Sequence, residues 1–373
     1  SFENFAECPL RYYLRYGVDL KEREEFTFSP VNFGVVLHAV IREVCDEIKK
    51  NGESYYLISE EKRREMVKRS VAAITDIYQN SILKDSSRNS FMIKRMEDLA
   101  DRTVWAMGEQ LKCGDFVPFV FEHKFNMEVG DGDRKQLMSG TIDRVDICEN
   151  GTDVYVRIID YKTGKKDFNI VKTYYGIDIQ LMVYMEAAMK LVAKMRPGKN
   201  VIPAGVFYYN ISDPIVSATT ESAEEIEDKI KGELRLKGMV NSDKDIAEKM
   251  DNTEGTSLNI PVSRKADGGF DSRRSKVMNT EQFNMLGRFV DVRAVDTADR
   301  IAGGDIRRSP YKDGQFSSCD RCPYGAVCGF SVDLPGCNYR KLKKFDDEVL
   351  WNNIKEGVDE NGKKMDTGAE ECD

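Results

Sequence analysis

No stretch of this chain strings together the roughly 18 apolar residues that a membrane span requires. Its first residues carry no basic n-region, apolar h-region or cleavage site, so no secretory leader is read there. The pattern G-x-x-x-x-G-K-[ST] is missing, and with it the phosphate-cradling loop of an ATP-driven motor, so ATP binding within these residues is not expected. No internal repeat points to a solenoid. Nor is there surplus positive charge: the formal net charge is -8 at pH 7, opposite in sign to that of most nucleic-acid binders. What remains is the expectation of a soluble, cytoplasmic protein. With Ser1 leading straight into a helix-like segment, it reads as a fragment of something larger. Its 373 residues, 41% of them hydrophobic, suffice for a full core in one large domain or two smaller ones.

The charge average conceals two distributions. Over 355–373 there are seven acidic and three basic residues in an apolar-poor stretch, so half the net charge sits there, and 346–373 is expected to be a flexible acidic tail. Elsewhere Lys162, Lys165, Lys166 and Lys172 cluster, as do Arg264, Lys265, Arg273, Arg274 and Lys276. Such runs are usually solvated loops. Only their nearness to an acidic motif raises phosphate binding as a use for them.

Periodicity predicts an α/β chain. Over 33–50, Leu37, Val40, Ile41, Val44 and Ile48 make an apolar helical stripe, and further helices are expected over 60–78 and 91–111. Three alternating segments follow at 117–129, 136–148 and 153–161, joined through Asp131-Gly132 and Asn150-Gly151, both hairpin signals. A helix over about 177–195, a strand over 201–209 and a helix over 280–301 come later. Residues 221–250 are charged and helical in pattern, and 252–270 are rich in Gly, Asn and Ser, so 220–275 reads as an insertion with a flexible loop. One elaborated α/β domain over 1–345 is the expectation.

Two of the meander strands carry charge where burial is expected. Side chains alternate along a strand, so Asp160 and Lys162 share the face of Val154, Val156 and Ile158, and Asp143 that of Val145 and Ile147. Burying unpaired charge is costly. Two carboxylates about 4 Å apart repel by roughly 4 kcal/mol at an effective dielectric of about 20, so one stays protonated or a cation sits between them. Oxygen ligands favour Mg²⁺ or Mn²⁺, which keep positions open for phosphate oxygens. Lys162 can then orient the attacking water and offset charge on the phosphate. The competing reading is a structural ion pair between Lys162 and an aspartate, because an isolated D-x-K is common. Gln180 and Tyr184, at i and i+4, share a helix face just beyond, either as a polar pair or as a grip on a nucleic-acid strand. His38, beside the first long stripe, reads on its own as a satisfied core histidine. Glu122 and Asp146 carry low weight, since alternation places Asp146 opposite Asp143.

Cys319, Cys322 and Cys328 stand close together near one end, and Cys8 stands near the other. A cytosolic C-x-x-C is usually metal-binding or redox-active. Zinc is one candidate, but four-cysteine zinc sites usually pair two short knuckles, whereas here one knuckle and a third cysteine await a distant fourth. A 4Fe-4S cluster suits that spacing at least as well. Cys45, Cys113, Cys148, Cys337 and Cys372 lack such spacing and read as buried or incidental thiols.

With Cys8, His38, Gly140-Thr141-Ile142-Asp143, Ile159-Asp160-Tyr161-Lys162-Thr163-Gly164, Gln180-Leu181-Met182-Val183-Tyr184 and the closing cysteines, the chain resembles RecB-family nucleases of the PD-(D/E)XK superfamily. Among these it is most similar to the AddB branch, the C-terminal nuclease domains found in one of the two subunits of bacterial ATP-dependent helicase/deoxyribonucleases. The stretch 255–261, Ser309-Pro310-Tyr311 and Leu334-Pro335-Gly336 share the likeness, which runs to about Phe345. It implies a restriction-endonuclease-like core with an iron-sulfur staple joining the two ends, the 319–328 segment closing onto Cys8. It implies Asp143 and Asp160 as metal ligands, His38 as a further ligand, the main-chain carbonyl of Tyr161 completing the coordination, and Lys162 as the catalytic lysine. Gln180 and Tyr184 match the Q-x-x-x-Y motif that holds DNA, and Cys8, Cys319, Cys322 and Cys328 match the ligands of a 4Fe-4S cluster. The leading proline of the superfamily motif is Ile142 here, as is usual for this branch. The implied activity is a Mg²⁺- or Mn²⁺-dependent DNA exonuclease in the bacterial cytoplasm, cutting single strands unwound by an AddA-like helicase-nuclease partner during break repair. Two other readings stand beside it: a non-cleaving iron-sulfur bracket that guides DNA, and a stand-alone iron-sulfur nuclease of the CRISPR-associated or replication-linked branches.

Overall fold

Apolar residues on both faces of one strand set the architecture. In the computed structural model, which describes residues 2–21, 30–78, 87–130, 135–217 and 221–359, the chain begins with α1 (Phe2–Glu7), α2 (Pro9–Tyr12) and a π turn over Tyr13–Gly17. Helices α3 (Pro30–Lys50), α4 (Glu60–Tyr78) and α5 (Ser87–Lys112) precede strands β1 (Val117–Val129), β2 (Gln136–Asn150) and β3 (Asp153–Lys162). Then come α6 (Ile170–Tyr174), α7 (Gln180–Met195), β4 (Asn200–Asn210), α8 (Ala223–Glu233), β5 (Lys237–Asn241), α9 (Lys244–Met250), β6 (Val277–Met278) and α10 (Thr280–Ala302). The last elements are β7 (Tyr311–Asp313), β8 (Phe316–Ser317), α11 (Gly325–Cys328), β9 (Arg340–Lys341) and α12 (Asp347–Asp359).

Strand β3 is buried over nearly its whole length because both of its faces are apolar. Tyr155, Ile159 and Tyr161 join a core with α3, α4 and α5, while Val154, Val156 and Ile158 join a second core with α7, α10 and α12. The result is a mixed six-stranded sheet, order β1-β2-β3-β4-β5-β6, between two helical layers. Strands β1 to β3 form the expected antiparallel meander, with Gly151 at φ 60° in the turn between β2 and β3. Strand β4 runs parallel to β3, a pairing that requires a crossover, and α7 supplies it. The stripe of α3 is buried as its spacing predicts, with Val36, Leu37, Val40, Ile41, Val44 and Ile48 all at 1% exposure or less.

Two expectations need correcting. The 220–275 region is not a flexible loop beside the sheet: its β5 pairs antiparallel with β4, and β6, just beyond it, pairs with β5, so it extends the sheet. Its Gly-, Asn- and Ser-rich stretch is packed, with Ile260 and Val262 in the core. There the Asp251 carboxylate accepts from Ser257 Oγ at 2.6 Å and Asn259 Nδ2 at 3.3 Å. Polar residues made that stretch look loose, but their hydrogen bonds are internal. Nor does an acidic tail begin at 346. Leu350 and Ile354, four apart, bury one face of α12 in the second core, with Trp351 and Val358 packed beside them. The tail beyond 359 and the Asp131-Gly132 hairpin lie outside the described residues.

Candidate active site

The β2–β3 ladder ends at Arg144 opposite Ile159, and one residue beyond it the carboxylate of Asp143 takes over. Asp143 Oδ2 accepts from the Tyr161 amide at 2.6 Å. Its Oδ1 lies 3.4 Å from His38 Nδ1, on α3. Strand β1 adds a second carboxylate, for Glu122 Oε1 is 3.5 Å from the same nitrogen. Ligand atoms of His38, Glu122 and Asp143 all fall within 4.8 Å of one another, the one such group of three among the described residues.

Glu122 reaches this site through its backbone. Its φ is 46°, in the left-handed region that a side chain of this size rarely adopts. The flanking pairs, Phe121 with Arg144 and His123 with Ile142, keep the register, so Glu122 falls opposite Asp143. Alternation along a single strand could not reveal this. Registering β1 on β2 across their hairpin is the signal that finds it.

Asp160, 2% exposed, sits at the end of β3 with the Lys162 ammonium paired to its Oδ2. Burial and the neighbouring Asp143 carboxylate outweigh the lysine and push its pKa up to about 7. At His38 burial disfavours the charged ring, but hydrogen bonds to Asp143 and Glu122 prevail and raise it to about 10. Protons at Asp160 and His38 thus relieve an excess of buried carboxylate. A divalent cation can do the same.

Lys162 Nζ also donates to Gln180 Oε1 at 3.1 Å, and Gln180 Nε2 donates to the Tyr184 hydroxyl at 2.9 Å. The i, i+4 pair therefore forms one chain of contacts with the lysine, held on the first two turns of α7. Asp146 is elsewhere: it receives Arg144 through Nε and Nη2 at 2.7 and 2.6 Å and Arg157 through Nε at 2.8 Å. The second basic cluster is likewise committed in part. Arg264 donates to the carbonyls of Thr253, Ala247 and Asp251, and Lys276 pairs with Asp167.

Cys8, Cys319, Cys322 and Cys328 line one cavity of about 30 Å³, with Arg308, Tyr324 and Phe330. None of the four is in a disulfide, and burial followed by its three neighbours raises the Cys319 pKa. Cys45, Cys148 and Cys337 are buried apart from this cavity.

A mixed sheet that gathers Asp143 and Glu122 from the middle of β2 and β1 beside Asp160 and Lys162 at the end of β3 defines a class, and comparison agrees: the profile of the PD-(D/E)XK nuclease superfamily matches residues 1–329. The chain belongs to that superfamily. Within it, this chain is similar to a protein named as the B-type subunit of an ATP-dependent helicase/deoxyribonuclease in three bacteria. The one from Caldanaerobacter subterraneus subsp. tengcongensis is 34% identical over 382 residues, covering 100% of this chain and 32% of that protein. That of Thermoanaerobacter sp. (strain X514) is 33% identical over 375 residues, 98% and 32%. That of Clostridium acetobutylicum is 34% identical over 370 residues, 96% and 32%. The chain spans about a third of the length of these curated relatives.

Proposed function

We propose that this chain is the nuclease module of an AddB-type helicase/deoxyribonuclease polypeptide and acts as a Mg²⁺- or Mn²⁺-dependent deoxyribonuclease. It would hydrolyse phosphodiesters of single strands that an AddA-like motor delivers during resection of DNA breaks in the bacterial cytoplasm. The observation that carries this is the convergence of His38, Glu122 and Asp143 beside the Asp160–Lys162 pair. Oxygen donors with one imidazole suit a hard divalent cation, and burial with the neighbouring Asp143 carboxylate raises the Asp160 pKa, an excess of negative charge that a cation would relieve. Asp143, Asp160, Glu122 and His38, with the Tyr161 carbonyl, would hold the ion. When bound, it supplies charge stabilisation at the phosphoryl oxygens and a more acidic water.

The protein's own contribution follows from the contacts. Lys162 stands where its ammonium can orient a water and offset charge growing on the phosphate, and Gln180 accepts a hydrogen bond from that ammonium. Tyr184, bonded to Gln180, offers a ring and hydroxyl to the strand. The test is cleavage of end-labelled single-stranded DNA with Mg²⁺ or Mn²⁺. Asp160→Ala and Lys162→Ala should each abolish it, and activity in both would sink the reading. Binding without cleavage under every divalent metal would favour the non-cleaving bracket instead.

For the cysteines we favour a 4Fe-4S cluster. The four thiols line one cavity, and one C-x-x-C knuckle with a third close cysteine and a distant fourth is the spacing that favours the cluster. Anaerobic purification with visible spectroscopy and iron and zinc analysis tests this, and one zinc without iron would refute it.

A further inference from the structure

Helix α7 begins at Gln180 without a cap of its own. Ile179 stands at the N-cap and offers no side-chain acceptor. The missing acceptor comes from 177 residues away: Glu3 Oε1 receives the amides of Ile179 at 2.9 Å and Gln180 at 3.1 Å. A carboxylate there satisfies orphan donors and the positive end of the helix dipole together. Around it, Lys166 Nζ pairs with Asp178 Oδ1 at 3.0 Å, and Tyr208 donates to the same oxygen at 2.6 Å. Burial raises the Glu3 pKa despite Lys166.

Glu3 belongs to α1, whose far end runs into Cys8. Arg340 clamps that end by donating to the carbonyls of Ala6 and Glu7, and the Leu10 amide bonds Arg307 O at 3.2 Å. One short helix is thus fixed to the cysteine cavity at its C-terminus and to α7 at its N-terminus. The first residue of α7 is the one that holds Lys162. Helix ends fray unless capped, so the position of Gln180 depends on the cap.

We propose that Glu3 is a positioning residue, tying the four-cysteine lobe to the start of α7 so that the integrity of that lobe is felt at Lys162. This rests on the nuclease reading of Lys162. In the complete polypeptide with its helicase partner, Glu3→Ala should lower kcat on single-stranded DNA about ten- to a hundredfold, with KM little changed. Iron and zinc content should stay at the wild-type level, and the thermal midpoint should move by a few degrees at most. Glu3→Gln, which keeps an acceptor oxygen for both amides, should recover most of the rate. Amide hydrogen exchange over 177–184 reads the coupling without any cleavage. Protection there should be lost in Glu3→Ala and in Cys322→Ser, while the middle of α10 stays protected in both. Wild-type kcat in Glu3→Ala, unchanged exchange in both variants, or a rate loss that merely follows the unfolded fraction would each overturn the proposal. Should the wild-type protein cut nothing under Mg²⁺ or Mn²⁺, the nuclease reading fails while the exchange measurement still decides the coupling.

Discussion

Two groups of buried charge lie within a few residues of each other on β2 and β3, and they are built on opposite principles. Asp146 sits between Arg144 and Arg157, each at 1% exposure, with Arg157 also stacked 4.8 Å from the Phe116 ring. Burial pushes the Asp146 carboxyl up, but the two guanidinium groups prevail and hold it below its usual range. Asp143, Glu122 and Asp160 instead share His38 and Lys162, and Asp160 is raised. The first group sets two guanidinium groups against one carboxylate, and Arg157, whose Nη1 and Nη2 have no hydrogen-bond partner among the described residues, has its pKa lowered by burial and by Arg144. The second retains protons that a metal can replace. Both groups are buried, and the sign of the excess charge, positive around Asp146 and negative around Asp143, separates them.

Mutation should break this comparison most visibly at Asp160 and Lys162. Either alanine variant should lose about a thousandfold or more in cleavage rate while remaining folded by circular dichroism. At the other cluster, Asp146→Ala leaves two arginines without their carboxylate and should cost about 3 to 5 kcal/mol. Urea unfolding measures this, and an unshifted midpoint would erase the distinction between the two groups. Glu122→Gln should weaken Mn²⁺ about tenfold or more, read from the metal dependence of the thermal midpoint, without loss of fold.

The smallest effect concerns pH, and the two groups have opposite signs. Asp160 binds its proton up to about pH 7 in the folded chain against 3.8 ordinarily, so the folded state holds more protons and loses stability as pH rises between those values. The charged His38 ring contributes stability that is complete below 6.5 and fades as pH rises towards about 10. Asp146, lowered, contributes stability above 3.8 that is lost on acidification. Without metal, the thermal midpoint should therefore drift downward from about pH 5 to 9, and stabilisation by Mn²⁺ should grow over that interval. Asp160→Asn should flatten the acidic half of that drift. A midpoint independent of pH would mean these protons are not held as described.

The elements that place the site were legible because their periodicity is strong. The span of β1, the start of β2, the hairpin at Asn150-Gly151 and the stripe of α3 all follow from alternation or 3.6-residue spacing. The separation of Asp146 from Asp143 was legible for the same reason. Strand β5 was not, since five residues between charged helical stretches carry too little pattern. Helix α12 was hidden by its acidic composition, although Leu350, Ile354 and Val358 recur every four residues. Glu122 carries low weight in the sequence because nothing within a single strand registers β1 on β2, and it is that register, with its left-handed backbone, that sets it opposite Asp143.

That glutamate gives drift an easy exit. A left-handed residue with a Cβ costs roughly 1 to 2 kcal/mol, which glycine would release and asparagine would reduce. One substitution at 122 could thus make the chain more stable and strip the site of a carboxylate. Selection for stability alone pushes against this residue, so a descendant that needs no carboxylate there should lose it early. Glycine or asparagine at 122 would serve as a mark of a domain that has kept its fold and retired from its task.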